Sequence, residues 1–174
     1  MGHLNVEIKA KCSNHAQIEQ ILIARQARFI GLDHQIDTYF KVPNGRLKLR
    51  EGNIENTLIF YDRPNQAGPK KSEIILYQVQ PEASLKAILE KTNGVLAVVD
   101  KQRKIFFIDN VKFHLDDVLG LGQFVEIEAI DSDGSLNYEE LLQQCSFFMS
   151  IFDIQEVDLL THSYSDMIME KSKV

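Results

Sequence analysis

Glu7, Lys9 and Lys11 occupy alternate positions in "NVEIKAKC", residues 5–12, with Val6, Ile8, Ala10 and Cys12 between them. Successive side chains of a β-strand point to opposite sides, so this stretch, as a strand, has one ionic and one apolar face. One such strand is ordinary, with its charges in water. Here the pattern recurs. Arg46, Lys48 and Arg50 share a face against Leu47 and Leu49, and Lys101 and Arg103 share another. Lys112, His114 and Asp116 oppose Val111, Phe113 and Leu115, while Glu126 and Glu128 oppose Val125, Ile127 and Ala129. Converging ammonium and guanidinium groups repel one another unless an anion fills the space between them. Carboxylates in that space would repel the anion unless a hard divalent cation bridges the two, and Glu7, Asp116, Glu126 and Glu128 are the oxygen donors that Mg²⁺ or Mn²⁺ prefers. Bases, carboxylates and a divalent metal together describe a seat for a polyphosphate chain. The alternative is internal salt bridging of these acids and bases with no ligand, at the expense of several buried charges.

The elements that would position these residues follow from periodicity and turn chemistry. Residues 4–12 read as a strand, and Ser13 or Asn14 offers an N-cap to a helix carrying Ile18, Ile21 and Leu22. Extended segments are expected at 28–42, 46–50, 56–63 and 70–80, separated by turn signals such as "PNG" and "PNQAGP". A second helix at 82–93 ends at Gly94, three more strands follow at 96–108, 111–118 and 123–130, and helices are expected at 137–152 and 158–171. The result is an α+β chain whose eight antiparallel strands suffice to close a barrel, with helices packed outside. The apolar stripes of those helices need an apolar surface to bury, and the strands' apolar faces supply it, which turns the charged faces into the lumen of a tunnel. Helices facing a sheet whose charged side meets solvent are the other arrangement this pattern allows.

At 174 residues and 44% hydrophobic content, residues 1–174 are expected to form a single domain. No apolar run is long enough to span a membrane and no signal peptide is visible, so a cytoplasmic protein with no membrane partner is expected. The formal net charge of −6 argues against nucleic acid as a partner. The charge is uneven: residues 131–174 hold nine acids and two bases, which leaves sixteen acids and seventeen bases in residues 1–130. Cys12 and Cys145 have no Cys or His at metal-ligand spacing and read as buried thiols.

The same residues make the chain resemble the CYTH superfamily, the triphosphate tunnel metalloenzymes, which include class IV adenylyl cyclases and thiamine triphosphatases. The resemblance runs from "NVEIKAKC" through "RLKLR", "LIFYDRPNQAGPKKS" and "DKQRKIFFI" to "FHLDDVLGLGQFVEIEA", the most specific stretch. It implies an eight-stranded antiparallel tunnel, a triphosphate held by lumen bases, and one or two Mg²⁺ or Mn²⁺ ions. Glu7 and Lys9 match the second Glu and the Lys of the family's Glu-x-Glu-x-Lys motif; Asn5 stands where the first Glu belongs, and Lys11 is the further base that often follows. Lys48, Arg50, Arg63, Lys70, Lys101 and Arg103 fall where the family places phosphate-binding bases, with Lys9, Lys101 and Arg103 the expected catalytic groups. Glu7, Asp116, Glu126 and Glu128 fall at its metal positions. In "GPKKS" the motif favours Lys70 over Lys71 as the inward residue.

The implied activity is cyclisation of ATP to cyclic AMP and pyrophosphate, or hydrolysis of a nucleoside, thiamine or inorganic triphosphate. The alternative is a sensor that binds polyphosphate or nucleotide without turnover. A second copy of the chain is an allowed partner. His114 shares the lumen face, where it could bind phosphate, shuttle a proton or serve as a hydrogen-bonded structural group. Tyr39, Tyr61 and Tyr77 are expected to pack the barrel, Phe147, Phe148 and Phe152 to form core, and "THSYS" at 161–165 to carry no catalytic triad.

Overall fold

A computed structural model describes residues 3–62, 65–80 and 83–173. Strand β1 (His3–Lys11), helix α1 (His15–Ala24) and strand β2 (Arg28–Phe40) open the chain. A meander of β3 (Arg46–Gly52), β4 (Asn56–Asp62) and β5 (Lys70–Gln78) follows, then α2 (Ala83–Asn93) and the strands β6 (Val95–Ile108), β7 (Val111–Val118) and β8 (Gly122–Asp131). Helices α3 (Tyr138–Ile151) and α4 (Tyr164–Lys171) end it. Among the described residues, eight strands close into one antiparallel barrel in the order β1-β5-β4-β3-β2-β6-β7-β8.

The apolar strand faces point outward, as the helices require. Val6, Ile8 and Ala10 of β1, Phe113 and Leu115 of β7, and Val125, Ile127 and Ala129 of β8 pack against Ile18 and Leu22 of α1 and against Leu141, Cys145 and Phe148 of α3. Each of these side chains is at most 7% exposed, and burying a Val, Ile, Leu or Phe among them contributes about 1.5–3 kcal/mol. Local chemistry starts the helices where they are needed. Asn14 caps α1 by accepting from the Gln17 N–H, and Asn137 and Glu140 form a reciprocal capping box on α3.

The tail departs from expectation. Helix was expected from Asp158, but Glu156–Asp158 form a single 3₁₀ turn and α4 begins only at Tyr164, where Ser163 and Asp166 make another capping box. The chain between them runs beneath the barrel: the Leu160 N–H donates to the Lys9 carbonyl at 2.9 Å, and Lys70 Nζ donates to the carbonyls of Leu160 and Thr161. Tyr164 then enters the lumen and packs on Tyr39, Ile59, Tyr61, Val99 and Phe124, which closes the lower end. Tyr77 is not packing, since it points outward and is 68% exposed, and Phe147 is 53% exposed on the outer side of α3. No described helix is long and apolar enough to cross a membrane.

Candidate functional site

Because alternation assigns a face to every strand residue, the closed barrel turns the ionic rows inward together. Register then chooses the neighbours: Lys9 lies opposite Glu126, His114 opposite Glu126 from the other side, Lys112 opposite Glu128, Arg103 opposite Asp116, and Asp37 opposite Arg50. They surround a cavity of about 350 Å³ that opens at the upper end of the barrel.

Its wall carries six bases, Lys9, Lys48, Arg50, Lys101, Arg103 and Lys112, and five acids, Glu7, Asp37, Glu55, Glu126 and Glu128. Asp116, wholly buried, stands directly behind and accepts two bonds of 2.6 Å from Arg103 and one of 2.8 Å from the Tyr164 hydroxyl. Among the described residues, the five lining acids together with Asp116 offset the six lining bases, so the cavity wall is close to formally neutral.

Asp37 is the hub of one side. Arg50 binds it through Nε and Nη2 at 2.9 and 2.8 Å, Lys101 Nζ lies at 2.8 Å and Lys48 Nζ at 3.1 Å. Burial alone would raise the Asp37 pKa, but Arg50, Lys101 and Lys48 together hold the carboxyl well below the usual carboxylate range. Lys101 is held well below the ordinary lysine range by burial, with Arg50, Arg103 and Lys48 adding repulsion. On the other side Lys9 reaches Glu126 at 3.0 Å with its ammonium 4.0 Å from the centre of the Tyr164 ring.

Glu55 comes from the turn between β3 and β4 and bridges Arg50, at 3.0 Å, and Lys112. The turn is shaped by Asp33, whose carboxylate accepts from the backbone N–H of Ile54 and Glu55 and from the Gln35 side chain. Gly52 makes this possible: a Cβ there would sit 2.7 Å from an Asp33 oxygen and 2.7 Å from the Glu55 carbonyl.

Lys9, Lys48, Arg50, Lys101, Arg103, His114, Glu7, Glu126 and Glu128 are therefore brought to one cavity. Others of the expected set are not. Lys11 shares the face of Lys9 but lies past the closed lower end, exposed. Lys70 is the inward residue of its pair, yet its ammonium is consumed by the carbonyls of the crossing segment. Asp116, expected as a metal ligand, has its two oxygens engaged by Arg103 and Tyr164 and instead sets the position of Arg103. Arg63 lies outside the described residues. Sequence reasoning missed Asp37, Glu55 and Tyr164. The alternation of Asp33, Gln35, Asp37 and Tyr39 in β2 was a readable signal for the first; no local pattern marks the other two.

The donor set fits a divalent cation. Donor atoms of His114, Glu126 and Glu128 all lie within 4.8 Å of one another. Next to them Asn5 donates to Glu128 Oε1 at 2.5 Å while its own Oδ1 is buried without a partner among the described residues. Burial raises the Glu128 pKa; Glu126, though buried too, is held well below the usual range by Lys9 and by the His114 hydrogen bond.

The sequence matches the CYTH domain family over residues 3–164. It is 23% identical over 173 residues to a candidate adenylate cyclase from Methanocaldococcus jannaschii, an alignment covering 94% of this chain and 98% of that protein. A solved protein from Pyrococcus horikoshii shares the fold with a TM-score of 0.80 at 25% identity, over 94% of this chain and 99% of its own. A Hippeastrum protein, described as a candidate adenylyl cyclase with a dominant triphosphatase activity, has a TM-score of 0.64 at 13% identity over 98% of this chain and 96% of its own, which speaks to the fold alone. With a family match that takes in all eight strands of the barrel and α3 and ends where α4 begins, the chain belongs to the CYTH domain family.

Proposed function

We propose that this protein is a divalent-metal-dependent enzyme that acts on a triphosphate, either hydrolysing it or cyclising a nucleoside triphosphate. The observation that carries the reading is the convergence of Lys9, Lys48, Arg50, Lys101, Arg103 and Lys112 with Glu7, Glu126 and Glu128 in one cavity. Glu7, Glu126 and Glu128 would hold Mg²⁺ or Mn²⁺, which when bound screens phosphate charge and polarises phosphoryl oxygens. Arg103, fixed by Asp116, and Lys101 and Arg50, fixed by Asp37, present donors whose direction is set before the ligand arrives, so little reorganisation is needed on binding. Lys9, held between Glu126 and the Tyr164 ring, is the base nearest the carboxylates and would contact a phosphoryl oxygen there. The organic group of the substrate would rest at the mouth. We place the protein in the cytoplasm, where such substrates are abundant.

Formal neutrality of the lumen supports the metal requirement. A triphosphate entering alone would bring several negative charges into a space whose bases are already paired; entering with a divalent ion it brings far fewer. The same neutrality, and Asn5 in place of an acid, favour a second reading, a sensor that binds without turnover.

Incubation with Mg²⁺ or Mn²⁺ and, separately, ATP, thiamine triphosphate and tripolyphosphate, with chromatographic analysis of products, separates these outcomes. Cyclic AMP with pyrophosphate identifies a cyclase; orthophosphate with a shortened product identifies a triphosphatase. Glu126→Gln and Glu128→Gln should reduce turnover far more than binding. Thermal stabilisation by tripolyphosphate with no product from any substrate would replace the enzyme by the sensor.

A further inference from the structure

We infer that the imidazole of His114 is itself a metal ligand, so that the lumen holds a mixed nitrogen and oxygen site that selects Mn²⁺ over Mg²⁺. This rests on the reading above, in which the lumen binds a divalent cation, and names which one.

His114 is 2% exposed and lines the cavity beside Glu126 and Glu128. Its Nδ1 lies 3.3 Å from Glu126 Oε1, and its Nε2, fully buried, has no partner among the described residues. A buried histidine kept for packing ordinarily has its ring nitrogens satisfied, because each unmet polar atom costs about 1–3 kcal/mol. The β7–β8 register sets the ring directly across from Glu126, and Lys112, the next inward residue of β7, across from Glu128. The donor atoms of His114, Glu126 and Glu128 then fall within 4.8 Å of one another, a spacing one ion can span with small side-chain adjustment.

Asn5 points the same way. Its amide nitrogen holds Glu128 while its Oδ1 is an unpartnered, buried, neutral oxygen on the same wall. Where a carboxylate-only site would offer charged oxygens throughout, this one offers an imidazole nitrogen and an amide oxygen beside the carboxylates of Glu126 and Glu128, with Glu7 on the same wall. Mg²⁺ is hard, favours oxygen and sheds its waters reluctantly, whereas Mn²⁺ stands on the series of divalent ions that accept imidazole. The exchange of oxygen for nitrogen therefore shifts the preference toward Mn²⁺.

Mn²⁺ alone, added to the metal-free full chain, should give a directly coordinated ¹⁴N signal in electron spin echo envelope modulation. That signal should convert to the ¹⁵N pattern on histidine labelling and vanish in His114→Gln. Calorimetric titration with Mn²⁺ and with Mg²⁺ should show Mn²⁺ affinity falling by at least roughly tenfold in His114→Gln, the scale lost even when groups behind a ligand are removed, with Mg²⁺ affinity changed much less. The labelled wild type carries the test even if the variant folds poorly. Mn²⁺ bound without nitrogen coupling, and released by Glu126→Gln, would overturn the role of His114 and leave the metal-dependent reading standing. Absence of Mn²⁺ binding both with and without tripolyphosphate would overturn both.

Discussion

Asp37→Asn tests whether the cationic side of the lumen is held by one buried carboxylate. The change is nearly isosteric, removes one charge and leaves Arg50, Lys48 and Lys101 facing an amide. Removing one partner of a buried ion pair costs roughly 3–5 kcal/mol. Lys101 can shed its proton, since burial and its cationic neighbours already hold it well below the lysine range, so the lower part of that interval is expected. For a chain of 174 residues this corresponds to a melting temperature lowered by about 10 °C. The acid side gives the sign. The folded-state pKa of Asp37 is depressed below its unfolded value of about 3.9, so its stabilisation is fully present above that value and fades as pH falls through the folded-state pKa. The gap between wild type and variant in urea denaturation should thus be constant from about pH 7 to 5 and shrink below about pH 4. Tripolyphosphate without metal should stabilise the variant more than the wild type, because it supplies the missing anion. A gap under about 1 kcal/mol at neutral pH, or one that persists undiminished at pH 3, would refute the reasoning.

Other perturbations separate the remaining parts. Glu55→Gln frees Arg50 and Lys112 from an internal anion, and should tighten metal-free tripolyphosphate binding by roughly tenfold, about 1.4 kcal/mol, in a calorimetric titration. Tyr164→Phe deletes the hydroxyl bond to Asp116 while keeping the ring beneath Lys9, and should cost about 1.5–3 kcal/mol by denaturation with little change in the barrel's circular dichroism. Gly52→Ala sets a Cβ against the Asp33 carboxylate and the Glu55 carbonyl, so it should destabilise by about 1–3 kcal/mol and displace Glu55, visible as a loss of its pairing to Lys112 in side-chain NMR.

How far the sequence foretold these features depends on whether each rested on alternation. The ionic rows of β1, β3, β6, β7 and β8 were readable because one face of each strand is almost purely charged, and the need of α1 and α3 for an apolar surface fixed which way that face turns. Asp37 escaped because its row, Asp33, Gln35, Asp37 and Tyr39, mixes acids with an amide and an aromatic and so lacks the uniform sign that drew notice to the bases. Lys11 and Lys70 share the expected face, but alternation gives only the side of a strand: Lys11 ends up exposed, and what Lys70 binds depends on a segment ninety residues further along, as its bond to Leu160 shows. Glu55 and Tyr164 reach the cavity from a turn and a capped helix, where no period of two applies. Asp116 had the right neighbours for a ligand, but only the three-dimensional pairing with Arg103 and Tyr164 reveals that its oxygens are occupied.

The stopper formed by Tyr164 and the segment before it makes the barrel a vessel instead of a pipe. Anything long and thin that enters does so tip first and must retreat along the same path. Were a bound triphosphate cut at its buried tip, as the proposed function requires, the fragment would leave only after the remainder, so release would follow an imposed order that owes nothing to relative affinity. Traffic through the open end would then set the tempo of any reaction run inside.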